Sequence, residues 1–204
     1  MTDMKKLVGL CLGLMMVIIE SAAVATPAEA KTNKTIKGTA TGTAVSANFD
    51  FENANESTPA FYVHGEGKSQ GGRFSYQALV EVAPDGKPCT VSGAAPNAGS
   101  EFTPGSEFTL VSPDARVAVF RYASTGDLLF VKSTKTILCG DFSSSTPPYS
   151  FRTDSVITGG TGRFAKATGT VTSTGNGEFL SFDASGKRQF VWFQEDILTN
   201  LTLP

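Results

Sequence analysis

The chain has 204 residues, 40% of them hydrophobic and 18% charged, with a formal net charge of −2. So few charges exclude a solvated, disordered chain, and their near balance leaves no basic footprint for nucleic acid. The single histidine, His64, excludes a multi-histidine metal centre and confines any histidine-assisted nucleophile to that residue. No metal and no cofactor are predicted.

Residues 1–30 read as an export signal. Lys5 and Lys6 form a short positive region, residues 7–19 an almost unbroken apolar run, and Ala28-Glu29-Ala30 a cleavage site, with Ala23-Val24-Ala25 as an earlier alternative. The run is too short to span a bilayer comfortably and ends at Glu20. The expected mature protein is residues 31–204, secreted or periplasmic, with no membrane span. An uncleaved anchor is the other reading of the same run. Export leaves Cys89 and Cys139 where disulfides persist. A bridge between them closes a loop of about fifty residues, worth roughly 4 kcal/mol by chain entropy. Two separate buried thiols, or a reactive Cys139, are the alternatives, but no histidine or cationic cluster adjoins Cys139 in sequence to activate it.

Along the mature chain, period-two alternation dominates. Residues 35–51 are rich in Thr and Ala and read as extended. Phe74, Tyr76, Ala78, Val80 and Val82 share one face, and Arg73, Ser75, Gln77, Leu79 and Glu81 the other, which makes a half-buried strand. Pro84-Asp85-Gly86 is read as its turn. Further strands are predicted over 106–111, 116–122, 128–138, 149–158, 163–172, 178–183 and 189–197. Turns fall at Ser112-Pro113-Asp114 and Ser124-Thr125-Gly126-Asp127, and a hairpin at Ala184-Ser185-Gly186-Lys187. No stretch carries a helical period with caps. About eight strands must bury their apolar face by closing or by pairing face to face. The up-and-down spacing predicts an all-β fold, a single eight-stranded antiparallel β-barrel with no exposed edges.

The most informative motif is Val156-Ile157-Thr158-Gly159-Gly160-Thr161-Gly162-Arg163-Phe164, followed by Ala165-Lys166-Ala167-Thr168-Gly169. A strand enters a glycine turn that demands positive φ, and a second strand starts at once. Gly169 then permits a bulge or a sharp bend. Neither phosphate-binding glycine fingerprint is met, and no helix follows to face a phosphate. The stretch 155–171 resembles the G-G-T/A-G-x-F-x-x-A-x-G turn of the allene oxide cyclase and dirigent-protein barrel superfamily. That resemblance implies an eight-stranded antiparallel barrel with an apolar cavity, often assembled as a trimer. In the superfamily such barrels cyclise reactive epoxides, steer radical coupling or close rings. The shared stretch is a structural turn, so no catalytic residue carries over with it.

Other side chains are weighed on their strand faces. His64 and Glu66 share one face, as a general base and its orienting group or as an ordinary solvent-facing pair. Arg152 and Asp154 share the face opposite Tyr149, Phe151 and Ile157. Turned inward they would bind a carboxylate or enol oxygen; turned outward they are a surface pair. Glu195 and Asp196 point to opposite faces, so at most one is internal. Glu195 goes with Val191 and Phe193, while Trp192, with Phe190 and Gln194, could stack a ligand ring. The candidate ligand contacts are therefore Tyr76, Arg152, Asp154, Trp192 and Glu195. The expected function is binding a small apolar molecule in or at the mouth of the barrel. The alternatives are a cyclase or isomerase using the same cavity, and a structural or surface-interaction protein whose barrel is filled solid.

Overall fold

The computed structural model describes residues 31–47, 60–92, 102–112, 115–140, 148–182 and 188–204. The export signal predicted for residues 1–30 and the hairpin turn at 184–187 lie outside them. The described elements are nine strands and one 3-10 turn. The strands are β1 (Thr32–Ser46), β2 (Ala60–Ser69), β3 (Gly72–Ser92), β4 (Phe102–Leu110), β5 (Arg116–Tyr122), β6 (Leu128–Gly140), β7 (Pro148–Gly160), β8 (Thr168–Phe182) and β9 (Arg188–Leu203). They form one antiparallel sheet in which β2 pairs with both β1 and β3, so the sheet closes into a ring.

Each strand lies beside its predecessor in sequence, as the short predicted turns require, with one exception. β5 pairs with the first half of β3 and the first half of β6, and β4 with the second half of both. β4 and β5 thus run in the same direction along one slot. At their junction Val111 and Ala115 both bond to Glu81, whose backbone N–H donates to Ala115 O and whose carbonyl accepts from Val111 N. Pro113 and Asp114 of the predicted Ser112-Pro113-Asp114 turn lie outside the described residues. Pro84-Asp85-Gly86, predicted as a turn, does not reverse the chain. It forms an irregularity inside β3, where the register to β4 shifts between Pro84 and Pro88. Local turn chemistry yields here because pairing with β4 satisfies backbone groups that a free hairpin end would leave to water.

Two predicted strands, 163–172 and 178–183, are one, β8. It begins at Thr168 rather than Arg163 because Gly162–Phe164 forms a 3-10 turn. Gly162 has φ +53° and Lys166 φ +61°, so the connection is longer than a tight hairpin. Gly169 is no bulge: the β8–β9 register runs unbroken through it, and a Cβ there would overlap Asn200 O. β2 is a strand that the apolar alternation fails to predict, because after Phe61 and Val63 its inward positions are Gly65 and Gly67.

The alternation of β3 is as predicted for Phe74, Tyr76, Ala78 and Val82, buried inside the ring, but Glu81, predicted on the opposite face of a half-buried strand, is only 2% exposed. The interior is strongly aromatic. Tyr76 stacks on Phe120 with centroids 5.0 Å apart, and Tyr149 meets Phe179 at 5.2 Å. One end of the ring is shut by the glycine motif. Phe164, 2% exposed, packs on Tyr122 with centroids 5.0 Å apart. The Arg163 guanidinium covers both rings, at 4.7 and 4.8 Å, and pairs with Asp127 at 3.5 Å. Gly160 and Gly162 lie close to this plug, since a Cβ on Gly160 would meet Phe164 and one on Gly162 would meet Asp127. Cys89 and Cys139 are bonded, with Cα atoms 6.0 Å apart. The bridge ties β3 to β6 beside β4, where Gly105 leaves room: a Cβ there would lie 3.1 Å from Cys139 Sγ. No described helix is long and apolar enough to cross a membrane.

Candidate functional site

Midway along the ring, strand alternation aims polar side chains from several strands at one another. Glu195 on β9 is 5% exposed and shares its face with Val191, Phe193 and Ile197. Its neighbours across the sheet are Ala40 and Gly175, small enough to let the carboxylate lie inside. The Tyr76 hydroxyl donates to Glu195 Oε1 and the Ser173 hydroxyl to Oε2. Burial pushes the Glu195 carboxyl above the ordinary carboxylate range, while Ser173, Tyr76 and the nearby Arg116 pull it back in part. Burial, and then the Glu195 charge, push the Tyr76 phenol well above its ordinary range. The tyrosine therefore stays protonated and can hold its hydrogen bond.

Arg116 is the first residue of β5 and shares the inward face of Ala118, Phe120 and Tyr122. Its Nη1 donates to Thr153 Oγ1, which is 3.1 Å from Thr136 Oγ1. Ser133 and Ser155 face each other at 3.0 Å in the same belt. A cavity of about 20 Å³ lies among these groups, with Arg116 and Glu195 both in its wall. That is room for one water molecule with ample hydrogen-bonding partners.

Above this belt, toward the end opposite the Phe164 plug, is a second cavity of about 80 Å³. Its wall is mostly apolar, formed by side chains such as Phe61, Val80, Val82, Leu138, Phe179 and Val191. Tyr76 and Arg116 belong to both cavities and make up most of the polar floor of the upper one, with Thr136. The Tyr149 phenol, at the same level, donates to Trp192 O at 3.3 Å.

Two of the five predicted ligand contacts, Tyr76 and Glu195, are thus internal and bonded to each other. The other three are not. Arg152 and Asp154 lie on the outer face as an ion pair at 3.1 Å, with side chains 61% and 33% exposed. They face out because Tyr149, Phe151 and Thr153 occupy the inward positions of β7. Trp192 is on the outer phase of β9 with Gln194 and Asp196, and is absent from the cavity wall. His64 and Glu66 lie outside as well, 3.8 Å apart with side chains 44% and 73% exposed. Among the described residues, no three His, Cys, Asp or Glu side chains converge on a metal-sized site. Arg116, Ser173 and Thr153 are site residues that the sequence reading missed. Comparison of the chain with family models, with curated proteins and with solved structures gave no match.

Proposed function

We propose that the ring is an eight-walled antiparallel barrel, β4 and β5 sharing one wall, and that it binds a small apolar molecule at its open end. One observation carries this reading: the interior is filled with side chains at the Phe164 end and leaves an apolar hollow over polar groups at the other. A hollow of about 80 Å³ is well below the roughly 300–1,000 Å³ of a drug-sized pocket. It suits a short alkyl group or a single small ring. The likeness of residues 155–171 to the allene oxide cyclase and dirigent superfamily supports the barrel, and a trimer would follow from it. Export, with a cleaved leader at residues 1–30, is supported by the bonded cysteines, which are compatible with an oxidising compartment.

Cyclopentane titrated into protein with labelled methyl groups tests the reading. The Val80, Val82, Leu138 and Val191 resonances are expected to shift saturably, and Val80→Phe, which fills the hollow, to abolish the shift. Unperturbed methyl signals at saturating cyclopentane defeat it.

The buried Glu195–Tyr76 pair favours a second reading, an isomerase or cyclase in which this pair moves a proton. Conversion of an unsaturated epoxide that disappears in Glu195→Gln would support it. Tight binding of the same compound without conversion would leave the binding reading alone.

A further inference from the structure

We infer that the hollow selects molecules whose inner end is a hydrogen-bond acceptor, short-chain carboxylates above all, and that Arg116 is the group that reads this end. The inference rests on the binding reading above and deepens it.

A guanidinium carries five N–H donors and no acceptor. Arg116 gives one of these to Thr153 and lines both cavities, so its guanidinium stands at their boundary. Glu195, whose charge acts on Arg116, has one oxygen bonded to Tyr76 and the other to Ser173. It lines the inner cavity and not the hollow. The hollow therefore presents a cation at its floor, with the acid set back behind a tyrosine. A carboxylate can take two parallel N–H bonds from a guanidinium, whereas an ammonium can take none.

Placement on the chain supports the same role. Arg116 is the only charged side chain on the inward face of β5, where a Leu or Val would pack with Ala118 and Phe120. It follows directly on the break between β4 and β5, and such breaks in a ladder re-aim side chains toward sites. Arg116 is half-buried and feels the Glu195 charge from one side; an anionic ligand end would give it a direct bidentate partner on the other.

The test compares three four-carbon probes, butanoate, butan-2-one and butylammonium, with cyclopentane as the reporter of the hollow itself. Butanoate is expected to bind about tenfold or more tighter than butylammonium, with butan-2-one between. Arg116→Met should remove the preference for butanoate while cyclopentane still binds, and Arg116→Lys should keep part of it. The inference is overturned if butylammonium equals butanoate in the unaltered protein. It is also overturned if Arg116→Met leaves butanoate affinity unchanged. If cyclopentane itself does not bind the unaltered protein, the binding reading falls and this inference falls with it.

Discussion

Gly65 lies directly opposite Tyr76 across the β2–β3 ladder, and the tyrosine ring fills the space that a side chain at Gly65 would need. A Cβ there would be 2.6 Å from Tyr76 Cζ. The arrangement recurs. Gly67 faces Phe74, Gly42 faces Phe193, Gly175 faces Phe151 and Gly177 faces Tyr149, each in direct register. At all four, a Cβ would come within 2.5–2.8 Å of the facing ring or hydroxyl. Large rings from one strand lean over bare backbone on the next, which lets the sheet curl tightly around a narrow aromatic core. Gly65→Ala should displace Tyr76 from Glu195 and cost about 1–3 kcal/mol, the usual range for overpacking. Chemical denaturation together with tyrosine fluorescence checks this. An unchanged midpoint would count against the steric account.

The buried carboxyl makes a prediction about pH. The folded-state pKa of Glu195 is raised from its ordinary value of 4.5, so the folded state holds its proton more tightly than the unfolded chain. Its contribution to stability is therefore complete below pH 4.5 and is lost as pH rises through the folded value. Glu195→Gln should flatten that slope. Denaturation midpoints of both proteins across the acid and neutral range give the difference curve, and parallel curves would refute the assignment.

The disulfide closes a separation of 50 residues, for which chain entropy gives about 4 kcal/mol, with about 2–4 kcal/mol typical of measured bridges. Replacing both cysteines by serine should lower stability by that amount, and reductant should do the same to the native protein. A melting temperature indifferent to reductant would mean that β3 and β6 are held together without the bridge.

Phe164 and Arg152 should respond in opposite ways. Phe164→Ala opens the plug under Tyr122 and should cost about 3–5 kcal/mol. Arg152→Ala removes an exposed pair and should change stability by less than about 1 kcal/mol. Urea titrations of the two variants decide it; equal effects would contradict the assigned inside and outside of the ring.

Much of this was legible in strand phase. Phe74, Tyr76 and Ala78 alternate inward as their spacing predicts, and Glu195 follows Val191 and Phe193 inside. Arg116 was legible on the same ground, in phase with Ala118, Phe120 and Tyr122, but a charge at the first position of a strand reads equally as the end of a turn. Ser173 and Thr153 were not legible, since hydroxyls alternate with other small polar residues on both faces of β7 and β8. β2 was hidden because only Phe61 and Val63 mark its inward face, which continues as Gly65 and Gly67 with the apolar bulk supplied by rings on β3. The shared slot of β4 and β5 was hidden for a different reason. It depends on β3 continuing past Pro84, and only a distant partner strand decides that.

The seam between β1 and β9 joins the two ends of the described chain: Thr202 donates to Asn33 at 2.8 Å across 169 residues. Most other neighbouring pairs of strands can zip from a nearby connection, and β3–β5 and β4–β6 span one intervening strand, but this pair must wait until β9 is made. A nascent or C-terminally clipped molecule would expose two long ribbons of unsatisfied amides, which template aggregation. Loss of even the last strand should therefore lead to precipitation rather than a smaller soluble product.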